Sequence, residues 1–487
     1  MEANKGLLII VALALAGALG ALIVFNEPTV VLPIFLGLLL LIVAFLSTPA
    51  SLYILVFSML LSPEILAGGL GTGTTASRGI TLRFDDFLLT VIGVVWLAKR
   101  AFFKGGSAFT RTPLNGPIMF YIAMAAVATM VGMLEGRVKG LTGLFFLLKY
   151  YEYVFLYFMV ISSVETEKQA KNLLIAALAT CFAVSLFAIL QIPGGERASA
   201  PFEGETGEPN TLGGYLVFML AIVTGLILTP GAMQRQWPLY VLLVSGTIGL
   251  FATLSRSSFL AAGVMVLVLS LRLFRRKPVV APIILIALLA VPWWAPEAVR
   301  ERILFTFTQP VEEGQIRFGA VRVDTSTSDR LRSWERAVDH WKAYPFLGSG
   351  ITGGPFTDAM YPRILTETGT VGLVAFFILI GAVFRMGWSA SRQAQDPFPR
   401  GVAMGFLLGL VGLLVHSIGA NSFIIVRIME PFWLVAALVA RSLVTARANE
   451  AAEAQPPIPS AVVESGRGKL GSPAWGEPRL ARLIKPR

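Results

Sequence analysis

Charge is scarce in this sequence, and so are the residues that bind metals or form disulfides. Of 487 residues only 14% are Asp, Glu, Lys or Arg, against 55% hydrophobic, and the mean hydropathy is +0.73. A soluble domain carries about 25% charged residues, so an ordinary soluble fold is excluded. The one cysteine, Cys181, lies in an apolar run, and a single cysteine cannot make an internal disulfide. The two histidines, His340 and His416, belong to no Cys/His cluster, so no metal and no other cofactor is expected. Segments of about ten alternating residues, the mark of a membrane β-barrel, are missing. So is any likeness between the two halves of the chain, which many transporters show.

What the chain has is apolar runs, most of them long enough to cross a hydrocarbon core of about 30 Å. The expected fold is all-α: a polytopic membrane bundle of about fourteen transmembrane helices with one large extracytoplasmic loop. The spans read 7–25, 29–47, 49–66, 84–101, 115–134, 141–162, 170–192, 210–229, 237–254, 257–274, 279–296, 361–384, 400–417 and 418–440. The first follows "MEANK" without a small-residue cleavage site and reads as a retained helix. Only Thr48-Pro49 separates the second from the third.

The net charge of +11 fits this class and does not point to nucleic acid, because Lys and Arg gather in cytoplasmic loops. With the N-terminus inside, Lys99, Arg100, Lys168, Lys171, Arg272, Arg392 and Arg400 all fall on the cytoplasmic side. The outer loops keep few cations, among them Arg137, Arg197 and Arg256, a bias of about two to one. Five regions follow: N-terminal helices over 1–192, helices with outward arginines over 193–296, the outer loop 297–360, C-terminal helices over 361–440, and a cytoplasmic tail 441–487. The tail is rich in Pro, Ala, Gly and Arg and is expected to be disordered.

Inside the outer loop, "SDRLRSWERAVDHWKAY" (328–344) places Leu331, Trp334, Val338 and Trp341 at spacings of three and four, the stripe of an amphipathic helix. Ser328 is the expected N-cap, and Pro345 ends the helix. Gly348 and Gly350 then allow a tight turn. On the helix pattern alone this segment is a structural cap on the bundle.

Three motifs give it more meaning. The first is "RASAPFEGETGEPNTLGGYL", from Arg197 to Leu216. The second is "TLSRSSFLAAGV", from Thr253 to Val264. The third runs from Arg330 and Trp334 through Pro345-Phe-Leu-Gly348-x-Gly350 to Leu365-x-Glu367-x-Gly369-x2-Gly372. In this order they resemble the O-antigen polymerase and ligase superfamily, from about Arg197 to Leu373. The resemblance implies a metal-independent glycosyltransferase of the bacterial inner membrane, to which the loop charges add cytoplasmic termini and a site on the periplasmic face. Its donor would be a glycan on a polyprenyl pyrophosphate. Membrane lipids and a chain-length regulator are the implied partners. A polymerase passes the glycan to another lipid-linked repeat, and a ligase passes it to a lipid A core. A lipid-linked oligosaccharide transporter or flippase is the non-enzyme alternative.

The residues carry that chemistry on their own terms. A departing pyrophosphate gathers negative charge, which fixed guanidinium groups stabilise through paired N–H donors. Arg197, Arg256 and Arg330 are the candidates for the donor site, although an Arg at a membrane edge also simply reaches for headgroups. The acceptor hydroxyl needs a base or an orienting group. The ligases carry a His-Asn pair about eleven residues before the Glu-x-Gly glycine; here that position reads Asp358-Ala359. Asp358 is thus one candidate base, and Glu367 is the second. His340 is expected on the solvated side of its helix. Asn210 and His416, the latter placed near the outer surface, are weaker candidates for contacting acceptor or glycan. Lys149 and Glu152 lie three apart on one helical face, as do Arg427 and Glu430. Each reads first as a structural pair and second as part of a polar route for the glycan.

Overall fold

The computed structural model describes residues 42–62, 64–66, 81–103, 110–203, 207–274, 278–318 and 321–453. Helices make its frame: α1 Thr48–Leu61, α2 Phe84–Phe103, α3 Asn115–Leu134, α4 Gly140–Ser163, α5 Glu167–Leu190, α6 Pro209–Ile227, α7 Trp237–Ala252 and α8 Arg256–Phe274. They continue with α9 Val280–Leu289, α10 Val291–Trp294, α11 Glu297–Thr308, α12 Thr325–Ala343, α13 Met360–Gln393, α14 Pro397–His416 and α15 Val426–Glu453. Two short antiparallel ribbons interrupt them: β1 Glu64–Leu66 with β2 Thr81–Arg83, and β3 Arg317–Phe318 with β4 Val321–Arg322. Among the described residues, eight helices are long and apolar enough to cross a membrane: α3, α4, α5, α6, α8, α13, α14 and α15. Three more, α1, α7 and α9, are apolar but shorter.

The centre of the bundle is α6 packed on α14. Gly401, Gly405 and Gly409 recur every four residues and face α6 as one small-residue seam. A Cβ on Gly225 of α6 would collide with the backbone of Gly401 and Gly405, so the helices meet backbone to backbone. In lipid, where apolar side chains gain little by leaving their surroundings, such close van der Waals contact is what holds helices together. Beside the seam, Phe218, Phe406 and Phe432 form a ring cluster, with centroids 5.2–6.2 Å apart. Trp433 carries it on to Tyr157 of α4, 5.5 Å away.

Each predicted span within the described residues has a helix, but several bounds differ for physical reasons. The span 7–25 and most of 29–47 lie outside the described residues. Ser47 stands between a helical stretch at 42–46 and α1, and its hydroxyl caps α1 by accepting from Ala50 N–H at 3.3 Å. The span 279–296 is two helices, because Pro292 has no N–H to continue α9. Helix α13 runs to Gln393, well past the expected end at 384. At 34 residues it would measure about 51 Å if continuous. It is broken at Gly369, whose φ of 65° and ψ of −164° are open only to glycine. Helix α15 begins at Val426, not 418, and continues to Glu453. The first part of the expected disordered tail, 441–453, is therefore helical; 454–487 lie outside the described residues.

The segment between α10 and α13 is compact rather than loose. It holds α11, the β3–β4 ribbon, α12 and the glycine turn. Asp324, not Ser328, caps α12, accepting from Thr327 N–H at 3.2 Å. Ser328 is buried one turn in, where its hydroxyl accepts from Ile316 N–H at 2.8 Å. The buried face of α12 is Ser328, Ser333 and Ala337. Leu331 and Val338 of the expected apolar stripe are 37% and 38% exposed. The Pro345–Gly350 turn docks into the break of α13. Gly350 N–H donates to Glu367 O at 2.9 Å, Ser349 N–H to Thr366 O at 2.9 Å, and Thr370 N–H to Pro345 O at 2.9 Å. A Cβ on Gly348 or Gly369 would strike the other motif's backbone. The Pro-Phe-Leu-Gly-x-Gly and Glu-x-Gly motifs are thus two halves of one joint.

Candidate active site

Three of the sequence-derived arginines meet at one end of the bundle, joined by a fourth. Helix α7 ends at Ala252, and the turn Thr253–Ser255 reverses the chain into α8. Leu254 takes φ 46° there, a rare conformation for a residue with a side chain. The loop after α5 runs along this turn: Ala198 N–H donates to Ala252 O at 2.9 Å and Arg197 Nε to Thr253 O at 3.2 Å. The Gln191 side-chain amide holds Ser199 through both of its backbone groups, which fixes the loop that carries Arg197. Arg256 opens α8. Its Nη1 donates to Thr306 Oγ1 at 2.6 Å, and its Nη2 pairs with Asp324 Oδ2 at 2.7 Å. Asp324 therefore caps α12 and orients Arg256 at once, while its own N–H bonds Thr306 O at 2.9 Å. Arg302 lies one turn before Thr306 on α11. Arg330, on α12, lies against Gly419 beyond the end of α14.

These four guanidinium groups act on one another. Burial and then Arg302, Arg256 and Arg330 push Arg197 down to about 10. Burial, followed by Arg256, also holds Arg302 and Arg330 below the usual arginine value. Two carboxylates oppose them. Burial raises Asp324, but the hydrogen bonds from Arg256 and Thr327 outweigh it and leave it below the ordinary carboxylate range. Asp358 attracts Arg330 and is exposed. Among the described residues, four cations stand against these two acids, an excess of positive charge. Such an excess suits a ligand with two or more negative charges.

Beneath it lies a buried polar chain that unites two weaker candidates. His416 is fully buried, not near the surface as expected. Its Nδ1 lies 2.7 Å from Ser422 Oγ and its Nε2 3.1 Å from Ser258 Oγ. Ser258 donates to Ser255 Oγ at 2.8 Å, and Ser255 donates to Asn210 Oδ1 at 2.7 Å. This chain ties α14 and α6 to the first turn of α8, directly under Arg256. Gly213 and Gly214 make room for it, since a Cβ on either would strike Ser258 or His416.

Asp358 stands above the same end. Its turn is held by Asn421 Nδ2 to Thr357 O at 2.9 Å and Met360 N–H to Ser417 O at 3.1 Å. Among the described residues its carboxylate has no hydrogen bond or ion pair. Glu367 is the opposite case: buried, and occupied on both oxygens. Tyr150 Oη donates to Oε2 at 3.1 Å, Arg363 Nε to Oε1 at 3.1 Å, and Thr352 N–H to Oε1 at 3.4 Å. It locks the joint between the glycine turn and α13. Lys149 and Glu152 are also elsewhere. Lys149 pairs with Asp86 and, at 3.5 Å, with Glu152. Arg427 donates to the carbonyls of Pro201 and Phe202 at 2.9 and 3.2 Å, under the Arg197 loop. His340 is partly buried rather than solvated. Burial and Arg137 lower its pKa, and among the described residues its Nε2 has no hydrogen-bond partner.

Sequence reasoning misses Arg302, Thr306 and Asp324. Arg302 is within reach of the same rule that finds Arg330, since both lie in the segment read as facing outward. Asp324 is one turn N-terminal to the expected cap, Ser328.

A comparison with curated proteins finds no match. The stretch that builds the α7–α8 turn, Arg256, Arg302, Arg330 and the Gly348–Gly369 joint matches a family model described as O-Antigen ligase over residues 239–372, and the chain's likeness to the O-antigen polymerase and ligase superfamily rests on that stretch.

Proposed function

We propose that this protein is a glycan polymerase that transfers a polyprenyl-pyrophosphate-linked oligosaccharide onto a second lipid-linked repeat at the outer leaflet of a bacterial inner membrane. The observation that carries this is the excess of arginine at one built site. Arg197, Arg256, Arg302 and Arg330 converge there, and among the described residues Asp324 and Asp358 are the acids that oppose them. In our reading the fourteen-helix topology, with both termini inside, puts that end outside.

The acceptor hydroxyl attacks the anomeric carbon of the donor sugar. Its oxygen forms the new glycosidic bond as the bond to the pyrophosphate oxygen breaks. The bonding pair leaves on the pyrophosphate, where the arginines stabilise the growing charge. Fixed guanidinium charge does the work a metal ion does in other phosphate sites, so the scheme calls for no cofactor. Asp358 takes the hydroxyl proton; it is the exposed carboxylate beside Arg330, whereas Glu367 has both oxygens engaged. Asn210 and His416 support Arg256 from below rather than touching the glycan. Lys149 and Glu152 hold the bundle. A chain-length regulator would act on the growing glycan from outside this chain.

The ligase reading is kept because the family model carries that description. Asp358-Ala359, where the ligases place His-Asn, favours the polymerase. Purified protein incubated with a lipid-pyrophosphate-linked repeat alone should yield a ladder of longer lipid-linked glycans. No ladder with donor alone, but transfer once a lipid A core is added, would establish the ligase instead.

A further inference from the structure

At the other end of the bundle, the structure assigns a second anion site: a lateral groove for an anionic phospholipid, formed by Arg272, Arg392 and Arg400 above an apolar wall. The groove is about 830 Å³ and lies between α6, α8, α13 and α14. That is within the usual size of ligand pockets, about 300–1,000 Å³. Its wall is aliphatic and aromatic, with Leu228, Leu269, Leu408 and Trp388 among its residues. Its polar residues are the three arginines and Ser391, and no acid lines it among the described residues.

The position follows from the helices. Arg256 and Arg272 bracket α8, sixteen residues and so about 24 Å apart. Arg392 is in the last turn of α13, and Arg400 in the first turn of α14, whose other end is His416. This groove is therefore distinct from the site of the four arginines. The nearby acids Glu167 and Asp396 lie beside each other and Lys171, and neither lines the groove. Arg400 is set in place by Nε and Nη2 donating to Ala394 O at 3.2 and 2.7 Å. Arg392 lies over the Trp388 ring at 5.6 Å, and Trp388 stacks on Phe384. A guanidinium held against an indole keeps its in-plane donors for a phosphate.

An apolar cleft facing bulk lipid needs no arginines. Three of them at one mouth, over a wall long enough for acyl chains, match a phosphate headgroup with its tails. Basic pockets between membrane helices on the cytoplasmic side hold such lipids. The loop charges assign this end to that side. The inference does not depend on which glycan the protein transfers, and its test uses no glycan.

Native mass spectrometry of the full-length protein, with phosphatidylglycerol, cardiolipin or phosphatidylcholine added, reads the site directly. Wild type should retain the two anionic lipids at least about tenfold more strongly than phosphatidylcholine, and inorganic phosphate should not displace them. Arg272→Gln/Arg392→Gln/Arg400→Gln should bring all three lipids level, and the corresponding Lys variant should keep most of the preference. Leu408→Trp, which fills the groove without changing charge, should weaken retention of the anionic lipids. Equal retention of anionic and zwitterionic lipid by wild type overturns the proposal. So does an unchanged preference in the triple Gln variant, or displacement by free phosphate.

Discussion

Two clusters of charge sit in this protein, and they are built on opposite plans. Around α2 and α4, Arg83 pairs with Asp85 at 2.7 Å, and Lys149 bridges Asp86 and Glu152. Three acids share these two cations, Glu430 is buried beside them, and the neighbouring Ser62 hydroxyl lies 3.2 Å from Asp85. At the end of α7, α11 and α12, four arginines share two carboxylates among the described residues. In this first cluster each cation is already paired with a buried acid of the same chain, so no positive charge is left over for an anion. The second cluster carries an excess of positive charge, which a multivalent anion relieves. The contrast teaches that the sign of the excess, more than the presence of charge, decides what a cluster in a membrane protein can bind.

The largest effect should come from breaking the first, acid-rich cluster. Lys149→Met leaves Asp86 and Glu152 buried without their cation, which should cost about 3–5 kcal/mol of stability. The yield of folded protein should drop, while each folded molecule keeps normal turnover. A stable but inactive Lys149→Met would move this cluster into the reaction.

Arg256→Ala should act the other way. It should remove about 2.7–4 kcal/mol of transition-state stabilisation, roughly two to three decades of turnover, with the helical content kept. Arg256→Lys should rescue only part, since an ammonium cannot bond Thr306 and Asp324 together as a planar fork does. Wild-type turnover in Arg256→Ala would refute its role.

Asp358→Asn keeps the shape and removes the proton acceptor. Polymerisation should fall by about a hundredfold, the low end of general-base assistance, with donor binding unchanged. Normal polymerisation in Asp358→Asn, with loss in a folded Glu367→Gln, would transfer the base to Glu367.

Much of this contrast is legible in the amino-acid sequence. Arg197, Arg256 and Arg330 converge because loop charge alone places their segments at one end of the bundle. Apolar runs find the helices because burial of the backbone in lipid leaves few other solutions. The partners are not legible. His416 meets Ser258 across 158 residues of sequence, and no periodicity in either helix announces that contact. The face of α12 escapes for a related reason. Its apolar stripe suggests that Leu331 and Val338 turn inward, but anchoring by Asp324 and Ser328 turns the small residues Ser333 and Ala337 to the bundle. Glu367 looks like a base in sequence because its pairing with Arg363 and Tyr150 depends on how α13 breaks at Gly369.

The most direct test of the arginine cluster is equilibrium binding of polyprenyl pyrophosphate and polyprenyl monophosphate to detergent-solubilised protein. Wild type should prefer the pyrophosphate, and Arg197→Gln/Arg256→Gln/Arg330→Gln should lose that preference while Lys149→Met keeps it. Pyrophosphate binding of wild-type strength in the triple variant would contradict the account.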